Sequence, residues 1–291
     1  PPTRAQHGLV TSPHYLASST GLDILRDGGS AVDAAIAANA TLCVVYPHMA
    51  GLGGDGFWLL ADGDDVEGIN ASGPAGEAAT REYYAALGYD EIPDRGSASA
   101  LTVPGAVDGW RLAHEKHGRL PWPRLFADAI THAREGVAMT DDFTRWIALD
   151  ADVLSEGSAV AETFLTGGSA PEPGTILRQP ELADSLETIA QLGPREGFYE
   201  GPVAEAFCEG VGEESPLSAS DFEQYTADWV APLSVDYRGY TAHSLPPNTQ
   251  GIAALQILGL LDGFDVESWS DGTADYYHHM AEAVKVAFAD R

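Results

Sequence analysis

Apolar residues recur along this chain with two periods, and the period marks each element. Leu16, Leu22 and Leu25 punctuate the segment Tyr15–Arg26, and Gly28-Gly29 stops it, so a helix is predicted there. Ser30 predicts an N-cap for a second helix that buries Val32, Ala35, Ile36 and Ala40. Residues 57–61 and 66–70, separated by the acidic turn 62–65, predict a hairpin, and residues 8–12 a short strand. From 104 to 137 the period is helical again. Val107, Trp110, Leu112 and Ala113 belong to one helix; Leu125, Phe126, Ala129, Ile130 and Ala133 belong to the next. Pro121 and Pro123 fall in the opening turn of that second helix, where a missing N–H is harmless. Further helices are predicted at 181–192, 203–209, 250–261 and Ala274–Ala289. The last places Tyr277, Met280, Ala281, Val284 and Phe288 on one face. Residues 232–236 and Tyr240–Ser244 flank a turn at 237–239 as a second hairpin. There is no linker and no internal repeat, so residues 1–291 read as one domain of mixed helices and strands. The chain stops at Arg291, at the end of a strongly periodic helix, which predicts that more of the protein follows.

Composition changes this picture in one respect. The chain has 15 Lys+Arg against 44 Asp+Glu, a net charge of −29, and its only lysines are Lys116 and Lys285. The acidic residues are spread throughout, and six Trp, eleven Tyr and nine Phe argue against disorder. Such a surface repels itself in dilute buffer, whereas at molar salt the Debye length falls to about 3 Å. The charge therefore reads as adaptation to a salt-rich solvent. Nucleic acid is disfavoured as a partner, because nothing supplies a basic stripe. No apolar run reaches the roughly 18 residues that span a bilayer. Cys43 and Cys208 form no motif, and Cys43 sits in an apolar stretch as a small core residue. The chain begins Pro-Pro, without methionine or a hydrophobic signal region. The compartment stays open between the cytoplasm of a salt-rich cell and export after removal of a leader.

Several motifs invite a function and fail on spacing. Gly51, Gly53 and Gly56 match a dinucleotide-binding pattern, but that pattern needs a strand before it and a helix after it; here the order is reversed. His114-Glu115-Lys116-His117 places its histidines three apart rather than the four of a zinc helix, and His278-His279 point to different sides. No metal or cofactor site is expected. No nucleophile elbow occurs.

The order of the remaining segments resembles the gamma-glutamyltransferase family of N-terminal nucleophile hydrolases. The resemblance runs through Gly8-Leu-Val-Thr-Ser-Pro-His14, the stretch from Gly21 to Ala35, and Tyr46-Pro-His-Met-Ala-Gly-Leu-Gly-Gly-Asp-Gly-Phe57. It continues through Thr102-Val-Pro-Gly-Ala-Val-Asp-Gly-Trp110, His117-Gly-Arg-Leu-Pro-Trp122 and Leu177-Arg-Gln-Pro180. Gly197-Phe-Tyr199, Tyr237-Arg-Gly-Tyr240, Pro246-Pro-Asn248 and Ala289-Asp-Arg291 complete it. This resemblance implies an α+β fold, the large-subunit part of an αββα sandwich completed by a small subunit released by self-cleavage. It implies an amide-cleaving enzyme whose nucleophile, the N-terminal threonine of the small subunit, uses its own amine as base. Pro1 cannot serve as that nucleophile, so no catalytic residue is expected in this chain.

The resemblance also implies one substrate-binding residue here, an arginine just after the second hairpin strand that clamps the α-carboxylate of a glutamyl group. Ser72 stands at that position. A family branch resembling oxamate amidohydrolases carries Ser-Gly-Arg-Ala-Pro here, but Pro74 replaces even that arginine. Asn70 and Ser72 are candidates to hydrogen-bond a smaller or neutral acyl group, or simply to cap a turn. Arg81 is a candidate substitute for the lost arginine. Three readings follow: a gamma-glutamyl hydrolase or transferase; a related oxamate-amidohydrolase-like or cephalosporin-acylase-like enzyme with another acyl group; or a non-catalytic binding protein.

Overall fold

The computed structural model describes residues 2–291, apart from the side chain of Ser158; Pro1 lies outside the described residues. The chain divides into two compact units, one made of the residues up to Asp55 with Ser72–Thr226, the other of Gly56–Ala71 with Ala227–Arg291.

The first unit is helical and built around Ala31–Val45. Ser30 accepts the Asp33 N–H while the Asp33 carboxylate accepts the Ser30 N–H, the reciprocal cap expected from this spacing. The helix is buried on nearly every side because its alanines let neighbours approach closely: Ala34, Ala37 and Ala40 are all at 2% exposure or less. Around it pack Tyr15–Arg26, Ala106–His117, the short 3-10 turn Trp122–Phe126 and Ala127–Glu135. The buried Gln179 side chain donates to the Val44 carbonyl at 2.9 Å, satisfying an acceptor at the C-terminal end of the helix. Residues 8–12 form no strand. Among the described residues nothing pairs with them, and Val10 instead packs against Gly21, where a Cβ would clash with it.

A satellite cluster of Met139, Phe143, Ile147 and Leu177 holds the short helix Asp141–Leu149 against the two-residue strands Val137–Ala138 and Ile176–Leu177. The sequence pattern missed this region because its elements are too short for a period to develop. Pro180–Pro194 and Pro202–Val211 run somewhat longer than predicted. Both cysteines are free. The motif His114–His117 is a helix end: His114 Nε2 lies 2.9 Å from the Leu120 carbonyl, and its ring meets the edge of Trp122.

The second unit carries the predicted hairpin, Gly56–Asp62 and Asp65–Ala71, turning at Gly63 with φ +64°. A third strand, Asp228–Val230, pairs antiparallel with the second. The other predicted hairpin forms from Leu233–Tyr237 and Tyr240–Ser244, with Arg238 and Gly239 both left-handed, as a twisted two-residue turn requires. Helices Gly251–Asp262 and Ala274–Ala289 pack on each other. The final helix buries Ala283 and Ala287 rather than the predicted face; Tyr277, Val284 and Phe288 are exposed at 62%, 39% and 48%. The small residues win because they allow the closest helix approach. Among the described residues, no helix is long and apolar enough to cross a membrane.

Candidate functional site

In the first unit, three separate segments are tied by backbone hydrogen bonds. Gly51–Asp55 forms a tight turn in which the Gly54 N–H donates to Gly51 at 3.1 Å. The Gly54 carbonyl then accepts the N–H groups of both Gly105 and Ala106, at 3.0 and 2.9 Å. These are orphan donors at the start of the helix Ala106–His117, whose N-cap is a glycine with no side chain to offer. Tyr199 secures the same helix start. Its buried hydroxyl donates to the Pro104 carbonyl at 2.7 Å and accepts the Asp108 N–H at 3.1 Å. Burial pushes that phenol well above its usual range, so it stays a donor.

Ser72 opens the third segment, directly after the strand ending at Ala71, and is half-buried. The backbone on its C-terminal side is fixed. The Val103 N–H donates to the Pro74 carbonyl at 2.9 Å, Ala75 bridges Thr102, and Gly73 lies so close to Val103 that a Cβ would overlap its carbonyl oxygen. The Gly73 N–H also bonds the Asp55 carboxylate. Partial burial raises the Asp55 carboxyl above its usual range, and this hydrogen bond opposes the rise. The glycine-rich turn, the Ser72 segment and the helix start are therefore one rigid backbone assembly.

In the second unit, Asn70 sits in the central strand, opposite Phe57 on one side and Asp228 on the other. Its side-chain N–H donates to the Asn248 Oδ1 at 3.0 Å, across 178 positions of sequence. The sequence singles out both Asn70 and the Pro246-Pro247-Asn248 motif. Nothing in it links them, because 178 positions separate them along the chain.

Arg81 is the first residue of the helix Arg81–Ala86, which Thr80 caps by accepting the Tyr83 N–H. It is exposed and lines a pocket of about 580 Å³ together with Tyr84, Tyr89, Asp90 and Glu91; Ser72 does not line that pocket. The structure thus sets Arg81 in a surface pocket shared with two acidic residues. Among the described residues, no group of three or more His, Cys, Asp or Glu is placed to hold a metal ion.

Comparison with known proteins gives concordant results. Residues 17–291 match the family model described as gamma-glutamyltranspeptidase. The glutathione hydrolase-like YwrD proenzyme of Bacillus subtilis is 42% identical over 286 residues, covering 97% of this chain and 54% of that protein. The oxamate amidohydrolase proenzyme of Klebsiella pneumoniae is 43% identical over 293 residues, covering 98% and 54%. Among solved structures, the gamma-glutamyltranspeptidase of Helicobacter pylori superposes with a TM-score of 0.94 at 29% identity, covering 100% of this chain and 85% of that one. The chain spans about half the length of these proenzyme relatives.

Proposed function

Because the chain belongs to the gamma-glutamyltranspeptidase family, we propose that it forms the larger part of an amide-cleaving N-terminal nucleophile enzyme. Its fold is the α+β large-subunit part of that family's αββα sandwich. In the proposed reaction, a threonine hydroxyl on the small subunit attacks the substrate amide carbonyl, with the threonine's own amine taking the proton. The amine product leaves, and water or an acceptor amine then displaces the acyl group from the ester. The partner of this chain is its own small subunit after cleavage of the proenzyme. The family-model match from residue 17 to the last residue carries this reading. Its test is replacement of that threonine by alanine in the full-length protein, which is expected to abolish both self-cleavage and amide hydrolysis. Retained hydrolysis would overturn the assignment of that threonine as the nucleophile, and absence of hydrolysis in the wild type would favour a non-catalytic binding role.

The preferred acyl group lacks the α-carboxylate of glutamate. Ser72, at the start of the clamped segment, occupies the position at which the family resemblance expects an arginine. A buried carboxylate without a cationic partner is costly, and a serine hydroxyl offers one neutral donor where arginine offers two charge-assisted ones. Each lost hydrogen bond to a charged group is worth on the order of 1.5–3 kcal/mol, which is tenfold to a hundredfold or more in turnover. Arg81 shares its pocket with Asp90 and Glu91, and their charge works against a carboxylate there. Ser72, with a single neutral hydroxyl, suits an acyl group without that α-carboxylate. In the full-length enzyme, Ser72→Arg is expected to raise kcat/KM for gamma-glutamyl donors at least about tenfold relative to small amide substrates. Efficient wild-type hydrolysis of glutathione, unimproved by Ser72→Arg, would return the protein to the gamma-glutamyl reading.

The excess of 44 acidic over 15 basic residues supports function in a salt-rich solvent, where screening relieves the self-repulsion of a −29 chain.

A further inference from the structure

A cavity of about 370 Å³ lies in the first unit beside the helix Asp141–Leu149, within the roughly 300–1,000 Å³ range of small-molecule sites. Its apolar wall includes Phe143, Trp146 and Phe164. Trp146 is 45% exposed, a large aromatic left uncovered at the edge of the cavity. His48 lines it too and stacks on Phe143 with ring centroids 5.0 Å apart. The His48 side chain is 10% exposed, and its Nε2 lies 3.5 Å from a carboxylate oxygen of Asp142. Burial holds the imidazole below its usual range, so the ring is neutral and adds a flat uncharged surface to the wall.

Two opposite charges line the same cavity, Arg95 and Asp150. Neither forms an ion pair or a side-chain hydrogen bond among the described residues, with each other or with any neighbour. Asp150 is half-buried and precedes the helix Ala151–Leu154, yet its carboxylate makes no capping bond to it. An aromatic wall alone would accept any oily molecule. An aromatic wall flanked by an uncommitted cation and an uncommitted anion selects a ligand that carries both charges beside a ring. We infer that this cavity binds a free aromatic amino acid, its carboxylate on Arg95, its ammonium on Asp150 and its ring against Phe143, Trp146 and His48.

The test is isothermal titration calorimetry on the full-length protein with L-phenylalanine, 3-phenylpropionate and phenethylamine. Phenylalanine is expected to bind saturably, and each analogue, lacking one charge, to bind about tenfold or more weaker. Arg95→Gln should erase the discrimination against phenethylamine alone, and Asp150→Asn the discrimination against 3-phenylpropionate alone. Absence of saturable binding by phenylalanine overturns the proposal. So does equal affinity for the three ligands in the wild type, a comparison that needs no variant to fold. Discrimination that survives both substitutions in proteins with unchanged thermal midpoints overturns it as well.

Discussion

One carboxylate oxygen of Asp33 accepts the backbone N–H of Leu120 at 3.1 Å, and with it those of Arg119 at 2.9 Å and Ser30 at 2.8 Å. Asp33 is fully buried, so a helix cap near the start of the chain also anchors the turn after the helix Ala106–His117. Hydrogen bonds to a buried charge are worth about 1.5–3 kcal/mol, and their loss leaves three donors without a partner. Asp33→Ala is expected to cost about 3 kcal/mol or more in guanidinium unfolding, with Asp33→Asn between it and the wild type. A loss below about 1 kcal/mol would contradict this role.

Gly73 has no room for a side chain. A methyl group there would overlap the Val103 carbonyl oxygen, which is backbone and cannot rotate aside. Gly73→Ala should therefore destabilise the first unit by roughly 3 kcal/mol and displace Ser72. In the full-length protein, hydrolysis should fall more than it does in a surface variant of equal stability. Wild-type melting and activity in Gly73→Ala would show that the segment is not clamped.

Cys43, 3% exposed, has its thiol pushed up to about 12 by burial. The folded value lies above the unfolded one of about 8.5. The protonated thiol thus contributes stability that is fully present below about pH 8.5 and is lost as pH rises toward 12. Cys43→Ala should flatten the fall in stability across that window, measured by unfolding at several pH values. In the native protein, Cys43 should resist iodoacetamide at pH 8 while the half-buried Cys208 is alkylated. Modification of Cys43 at the rate of Cys208 would refute the burial argument.

Salt should stabilise the chain. A thermal melt taken from 0.1 to about 3 M KCl is expected to show a large rise in midpoint, as screening removes the repulsion of 29 net negative charges. A flat or falling midpoint would mean that the acidic surface serves some other end.

Much of the fold is legible in the sequence where a signal is local. Ser30 and Asp33 are three apart, so their reciprocal cap needs no tertiary help. The two hairpins follow from short turns between apolar runs, and the glycine-rich order from Tyr46 to Phe57 carries the family resemblance. Ser72 stands where counting from the hairpin puts it, one residue past Ala71.

The sequence by itself determined the longer helices, the two hairpins and the family, because each depends on spacing along the chain. Tertiary structure alone decided which distant groups meet. Asn70 meets Asn248 across 178 positions, a contact that no local spacing announces. The Gly54 carbonyl caps a helix that begins some fifty residues later, because that helix lacks a cap of its own. The last helix buries Ala283 and Ala287 rather than its larger apolar residues. Periodicity ranks positions by hydrophobicity, whereas packing ranks them by how closely two backbones can approach.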